Sequence, residues 1–155
     1  MVIALAARRG RDRHGRSGRF PARPERRGRG RSARVALADI NVDEAAAVAA
    51  EIGDSAKAYR VDVLKVEDLR VFVDSVAADF VLIDILVNNA GICPRLPFSD
   101  STEEHWDLLT DVNSKSMFFL MQAVRPIMKA QGGGKIVNLG STGGRFGSFD
   151  SASIY

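Results

Sequence analysis

The chain has 155 residues, of which 46% are hydrophobic and 26% are charged, as expected for one globular domain. Its net charge of +3 averages two unlike parts, because residues 1–34 carry twelve arginines and a net charge of +10, whereas residues 35–155 carry −7. A single cysteine, Cys93, excludes an internal disulfide, and with only two histidines the sequence argues against a metal site. No apolar run approaches the roughly 20 residues that cross a membrane. We expect a cytoplasmic protein without a metal ion, although an Arg-rich mitochondrial presequence stays open.

Strands and helices alternate along most of the chain. Apolar runs predict five strands, at residues 2–6, 34–39, 56–63, 81–89 and within 132–141. Apolar residues at helical spacing predict helices that end at Gly53, cover 67–80, begin at Glu103 and cover 113–131. This alternation is typical of an α/β fold with a doubly wound parallel sheet and helices on both faces, incomplete at about five strands.

Two helix starts have the capping-box pattern, in which a small polar residue precedes a glutamate by three positions. Asn41 with Glu44 marks the first, and Ser101 with Glu104 marks the second. Between them, five apolar residues share one face of the helix at 67–80 and should be buried: Leu69, Phe72, Val73, Val76 and Phe80.

Residues 8–33 interrupt the pattern. This Arg/Gly-rich segment has no hydrophobic period, so we expect a loop or a disordered stretch. Its charge is compatible with an arm that binds nucleic acid by counterion release, but Phe20 is its only aromatic residue. The G-x-G-x-x-A match at 28–33 precedes a strand instead of following one, so it fails the structural test for a phosphate-binding turn.

Small or polar residues end four successive strands. They are Asp39, Asp62, the Asn-Asn-Ala-Gly turn at 88–91, and Ser141. Ligands of doubly wound sheets bind beyond the carboxyl ends of the strands. One such ending means little, but four in succession predict a site at this edge.

These residues resemble a known family. The motifs of the classical short-chain dehydrogenases/reductases are similar to LVNNAG at 86–91, to Asp62 followed by Val63, to Asn113, and to the pair Ser141 and Tyr155. The resemblance runs from about Arg34 to the last residue. It implies a Rossmann-type fold, and we expect one partial dinucleotide-binding domain over 1–155.

The spacing of the motifs agrees with this resemblance. Asn89 and Asn113 are 24 residues apart, and Asn113 and Ser141 are 28 apart, as the family would have. Ser141 and Tyr155 are 14 apart, one more than the family usually shows. An extra residue before Tyr155 accounts for that difference.

The resemblance implies an NAD(P)-dependent oxidoreductase that moves hydride between nicotinamide and a secondary alcohol or ketone, such as a 3-oxoacyl, sugar or steroid-like carbonyl. The implied cofactor-binding residues are Asp39, Ile40, Asp62, Val63, Asn89, Ala90 and Gly91. The charge of Asp39 would repel a 2′-phosphate, which favours NAD over NADP. The implied catalytic residues are Tyr155 as general acid/base, Ser141 as a hydrogen-bond donor to the substrate oxygen, and Asn113 as the residue that orders a water.

Two parts of the family pattern have no counterpart in the sequence. The first is the glycine-rich phosphate loop, TGxxxGxG, expected directly after residues 2–6, where the Arg-rich segment stands instead. The second is the lysine of Tyr-x-x-x-Lys, which in the family lowers the pKa of the tyrosine. We therefore expect a truncated chain that is itself inactive, and we interpret residues 8 to about 33 as an out-of-frame version of the missing loop and helix.

The expected partner is a small carbonyl or alcohol substrate, with homo-oligomers if the protein is full length. A nucleic-acid-binding protein that uses the Arg-rich arm is an alternative from another class, and we consider it less favoured. An inert fragment is the third interpretation.

Overall fold

The computed structural model describes residues 3–8, 33–94 and 96–141, the first of these ranges by its backbone. In chain order the regular elements are β1 (Ile3–Arg8), β2 (Ala33–Asp39), α1 (Val42–Ile52), β3 (Ala56–Arg60), α2 (Val66–Phe80), β4 (Ile85–Asn88), α3 (Glu103–Thr110), α4 (Ser116–Ala130) and β5 (Lys135–Asn138). A 3-10 turn at Phe98–Asp100 precedes α3, and a π-helical segment at Asp111–Lys115 joins α3 to α4. Tyr155 lies outside the described residues.

The five strands form one sheet in the order β3-β2-β1-β4-β5. β2 and β3 are parallel, with Asp39 opposite Arg60, and β4 and β5 are parallel, with Asn88 opposite Asn138. This confirms the incomplete, Rossmann-type α/β sheet. It also places the carboxyl ends of β2, β3, β4 and β5 at one edge, which we call the site edge.

β1 differs from the predicted parallel arrangement. It runs antiparallel to both neighbours, with Ile3 opposite Ala38 of β2 and Ala4 opposite Val87 of β4. A parallel β1–β2 pair needs a crossover that is usually a helix packed on the sheet, and the sequence of residues 9–32 offers no apolar helical face. An antiparallel pair needs only a connection that returns to the same edge, where Arg8 pairs with Ala33. These two residues therefore belong to strands and not to the irregular segment predicted for 8–33, the rest of which lies outside the described residues.

Helices cover the sheet on both faces. Ala36 and Ala38 of β2 join the main core with α2 and α4, whereas Leu37 between them points to the opposite face, where α1 packs on β2 and β3. The predicted apolar face of α2 is confirmed, because all five of its residues are at least 93% buried: Leu69, Phe72, Val73, Val76 and Phe80. Burial of each such side chain stabilises the fold by about 1.5–3 kcal/mol.

The two predicted capping boxes have different outcomes. At α1, Asn41 stands at the N-cap as predicted, but its side chain makes no capping hydrogen bond; its Nδ2 instead donates to Glu44 Oε1 at 2.8 Å. The helix ends at Gly53, whose φ of +85° favours glycine. At α3 the prediction was one residue early. Thr102, not Ser101, caps the helix by accepting a hydrogen bond from the His105 N–H at 3.2 Å. Ser101 instead closes the preceding 3-10 turn through its N–H.

The end of α2 has an unusual backbone. Val81 follows the helix with φ of +70°, a left-handed conformation in which a β-branched side chain is strained. Its N–H donates to the carbonyl of Ala77 at 2.9 Å, which closes the last turn. The Val81 side chain is 64% exposed, so it gains little burial in return for this strain.

A polar cluster ties α2 to the start of β3, at the sheet edge opposite the site edge. Asp79 Oδ2 accepts from Lys57 Nζ and from the Tyr59 hydroxyl, both at 2.6 Å. The bond from Lys57 and then the bond from Tyr59 lower the pKa of Asp79. Partial burial, and then the hydrogen bond to Asp79, raise the pKa of Tyr59 well above its usual range.

The turn from α4 to β5 is held by one side chain. Gln131 Oε1 accepts from the Ile83 N–H at 3.1 Å, and Gln131 Nε2 donates to the carbonyls of Ile83 at 2.6 Å and Gly133 at 2.9 Å. The amide thereby fixes the chain that leads into β4 against the chain that leads into β5. Among the described helices, none is long and apolar enough to cross a bilayer.

Candidate functional site

At the site edge, the described residues line two cavities. The larger is about 390 Å³ in volume and lies at the ends of β2 and β3. The smaller is about 290 Å³ and lies at the ends of β4 and β5. Ile92 lines both, so the two cavities are neighbours along the edge.

The larger cavity collects four of the predicted residues: Asp39, Ile40, Asp62 and Val63. Asp39 is only 6% exposed, and its Oδ1 accepts from the Asn41 N–H at 2.9 Å. The Val61 N–H donates to the Asp39 carbonyl at 3.0 Å, which holds the end of β2 against β3. The buried carboxylate is therefore oriented by the backbone turn that starts α1.

Asp62 is fixed in a similar way. Its Oδ1 accepts from the Leu64 N–H at 3.1 Å, and Lys65 Nζ lies 3.7 Å from its Oδ2. The Asp62 N–H is itself 3.4 Å from Asp68 Oδ2. The turn after β3 thus presents one carboxylate and apolar groups to the cavity.

The smaller cavity collects the other described site residues: Asn89, Ala90, Gly91, Asn113 and Ser141. They come from the turn after β4, the π-helical segment and the chain after β5. The Leu139 N–H donates to the Asn88 carbonyl at 3.0 Å, which continues the β4–β5 pairing up to the cavity. Residues 92 and 93, which we expect to face substrate, also line it.

Asn113 is 7% exposed and lies in the π-helical segment. Its Oδ1 accepts from the Ile92 N–H at 2.8 Å, and its Nδ2 donates to the Ile92 carbonyl at 3.0 Å. A β-carbon added at Gly91 would lie 3.4 Å from Asn113 Oδ1, so the turn approaches this amide closely. The amide side chain of Asn113 therefore holds the loop after β4 in place.

Sequence reasoning missed the position of Glu44 and the hydrogen-bond partner of Ile92. Glu44 lines the larger cavity, and the capping pattern with Asn41 contained the signal, since it places Glu44 in the first turn of a helix that starts at the site edge. Ile92 lines both cavities, and its partner Asn113 lies 21 positions away, which no local pattern indicates. In the described part of the chain, no group of three His, Cys, Asp or Glu side chains is placed to hold a metal ion.

The described residues that line the two cavities suit the two ends of a dinucleotide. An oriented acidic residue and apolar walls suit adenosine, and a turn of small residues suits close approach of nicotinamide. Pyrophosphate needs backbone N–H groups and a helix N-terminus directly after the central strand. β1, the central strand, has its carboxyl end at Arg8, opposite Ala33 at the far edge, so that end of the strand lies away from both cavities.

The fold is a Rossmann-type α/β sheet, and the described residues predicted for the site lie together at one edge of it. The model of the short chain dehydrogenase family matches residues 29–155, and the chain belongs to that family.

Two curated relatives and one solved structure that are similar to this chain are named as dehydrogenases. The chain is 42% identical over 116 residues to galactitol 2-dehydrogenase of Agrobacterium fabrum and 44% identical over 116 residues to sorbitol dehydrogenase of Cereibacter sphaeroides, in each case over 74% of this chain and 45% of the relative. A solved 7 alpha-hydroxysteroid dehydrogenase, complexed with NADH and 7-oxo glycochenodeoxycholic acid, is 33% identical with a TM-score of 0.69, over 73% of this chain and 45% of that one. The chain thus spans less than half the length of these relatives.

Proposed function

We propose that this chain carries part of an NAD-dependent oxidoreductase that acts on a secondary hydroxyl group of a polyol or sugar, or on the corresponding ketone. The observation that carries the proposal is the buried, backbone-oriented carboxylate of Asp39 at the end of β2. A carboxylate there accepts hydrogen bonds from the ribose hydroxyls and repels a 2′-phosphate, which favours NAD over NADP. The relatives named for galactitol and sorbitol support the polyol class.

The chemistry divides between the cofactor and three side chains. Bound nicotinamide supplies the acceptor or donor of the hydride at the carbinol carbon. In the direction of oxidation, Tyr155 takes the hydroxyl proton as general base, and Ser141 donates a hydrogen bond to the same substrate oxygen. Asn113 orders a water for the proton relay. The common cavity of Ser141 and Asn113 supports this assignment.

We also propose that this chain alone does not catalyse the oxidation or reduction of a substrate. Catalysis needs the nicotinamide held at the smaller cavity, and its position depends on an anchored pyrophosphate. The sequence after the central strand lacks the TGxxxGxG motif of the family, and the carboxyl end of that strand lies at the edge opposite the cavities.

A chimera tests the proposal. Residues 8–32 would be replaced by the loop and first helix of the galactitol 2-dehydrogenase, and that relative's C-terminal half would be appended after Tyr155. We expect NAD-dependent oxidation of galactitol or sorbitol by the chimera, measured by absorbance of the reduced nicotinamide, and none by the present chain. Asp39→Ala in the chimera should shift the preference towards NADP. Equal use of both cofactors by the unsubstituted chimera would refute the NAD assignment.

Nucleic-acid binding is a second candidate, favoured by the twelve arginines in residues 1–34. It predicts a DNA or RNA affinity that falls steeply with salt and disappears when residues 9–32 are deleted. An affinity unaffected by that deletion would exclude the arm as its cause.

A further inference from the structure

We infer that two copies of this chain form a dimer by antiparallel pairing of their β5 strands (Lys135–Asn138), which joins the two sheets into one. The inference does not depend on the proposed function. Three features carry it: the position of β5 in the sheet, its exposed apolar side chains, and the difference in charge between the two outer strands.

β5 is an outer strand of the described sheet, with β4 beside it. The N–H groups of Lys135 and Leu139 donate to carbonyls of β4 and of the residue before it, at 2.8 and 3.0 Å. Backbone groups alternate in direction along a strand, so the N–H and carbonyl groups of Ile136 and Asn138 point away from β4. Such a row of outward groups is what an edge strand uses to pair with another chain.

The apolar side chains of β5 are exposed on both faces of the sheet. Ile136 lies beside Leu86 of β4 and is 41% exposed, whereas Leu86 is fully buried. Val137 lies beside Val87 on the other face and is 47% exposed, and Leu139, two residues further along, is 45% exposed. Three exposed apolar side chains within four residues favour burial against a second apolar surface.

The outer strand at the other side of the sheet, β3, is charged. It carries Lys57 and Arg60, both exposed, among its five residues. Lys57 Nζ forms an ion pair with Asp79 Oδ2 at 2.6 Å. Charged side chains on an edge strand oppose its pairing with another strand, because pairing removes them from water. β5 has a single charged residue, Lys135, at its first position. Of the two outer strands, β5 is therefore the one suited to association.

A second copy of β5 is the partner that fits this strand. A two-fold axis normal to the sheet keeps every side chain on its own face, and one register places the two Val137 residues opposite each other. Each Ile136 then lies opposite the second copy's Asn138. Both residues direct their N–H and carbonyl groups outwards, so each such pair exchanges two backbone hydrogen bonds. The exposed Val137 side chains come together at the centre.

The same register separates the like charges. Each Lys135 lies opposite the second copy's Leu139, and its aliphatic stem covers that side chain. The two Lys135 residues are then about 14 Å apart along the strands, which exceeds the Debye length of about 10 Å at 0.1 M salt. Pairing of β5 with itself closes at two copies. Because the paired strands are short, the interface is small and the dimer is weak.

Sedimentation velocity of the full chain over a range of concentrations tests the inference, and we expect a monomer–dimer equilibrium. Val137→Lys and Val137→Glu should each weaken the dimer by about fivefold or more, because two like charges then lie opposite each other. An equimolar mixture of the two variants should dimerise more tightly than either variant alone, by about the same factor, because opposite charges then meet. A variant that fails to fold could not give this recovery.

A matched variant and a second measurement locate the interface. Val71→Lys makes the same change at a valine of α2 that is 64% exposed, and it should leave the equilibrium as it is. Amide hydrogen exchange of Ile136 and Asn138 should slow as the protein concentration rises, because their N–H groups become hydrogen-bonded in the dimer. Exchange of Val137, whose N–H points to β4, should not depend on concentration.

Several results would overturn the inference. One is a chain that sediments as a monomer at every concentration. Another is a dimer that Val137→Lys leaves intact, since its interface would then lie elsewhere. A mixture of the Lys and Glu variants that associates no better than either alone would contradict the pairing of Val137 with Val137. Exchange at Ile136 that stays the same while dimers form would contradict the pairing of the strands.

Discussion

Replacement of Val81 by glycine should stabilise this protein, although glycine normally weakens a helix. The left-handed conformation at φ of +70° costs an L-residue about 1–2 kcal/mol, and glycine adopts it without that strain. The greater freedom of glycine in the unfolded chain offsets about 0.5–1 kcal/mol of this gain. Since the valine is 64% exposed, little burial is lost. We expect a net gain of about 0.5–1 kcal/mol, or roughly 1–4 °C in Tm.

Val71 provides a matched control. It has the same side chain and is also 64% exposed, but it lies inside α2, the helix that Val81 follows, and has right-handed helical geometry. Val71→Gly should therefore destabilise the protein by about 0.5 kcal/mol through helix propensity. Urea unfolding followed by circular dichroism would measure both variants. If Val81→Gly unfolds at the same urea concentration as the original chain, or at a lower one, the argument from backbone strain is wrong.

Three further predictions follow from buried or partly buried polar contacts. Asn113→Ala leaves the N–H and carbonyl of Ile92 unpaired and should cost about 1–3 kcal/mol in urea unfolding; an unchanged midpoint would contradict this. In the folded protein the pKa of Tyr59 is raised above the unfolded value of about 10. The buried, hydrogen-bonded Tyr59 hydroxyl therefore adds to the free energy of unfolding below about pH 10, and this added stability is lost as the pH rises further. The original chain should therefore lose more stability between about pH 9 and pH 11 than Tyr59→Phe, and equal losses would refute the assignment. Gln131→Ala removes three hydrogen bonds and should lower the free energy of unfolding by about 1–3 kcal/mol, with Gln131→Glu recovering only part; full recovery would show that the amide donor is unimportant.

Features with a local cause could be predicted from the sequence. The buried face of α2 follows from helical spacing alone, and Gly53 ends α1 because the chain there adopts a conformation that glycine favours. Asp39 and Asp62 could be placed in one cavity because their strands are parallel neighbours. Each of these predictions depends on residues close in sequence or on one general rule of sheet geometry.

Features could not be predicted where two residues compete for one role, or where the partners of a contact are distant in sequence. Ser101 and Thr102 are both good caps, and the 3-10 turn before them decides which one starts α3. The bond between Asn113 and Ile92 joins two elements that no periodic pattern connects. The role of Ser141 and Tyr155 in catalysis stays a prediction.

The reversed β1 shows what the sequence of a central strand does and does not specify. Its residues Ile-Ala-Leu-Ala-Ala read almost the same from either end, so a central position in the sheet accepts them in both directions. The connection between β1 and β2 then determines the direction of β1. Reversal of a six-residue strand carries its carboxyl end about 17 Å across the sheet. A glycine loop grafted after Arg8 would therefore begin at the edge opposite the cavities. Only a graft that also brings a crossover helix can make β1 parallel to its neighbours.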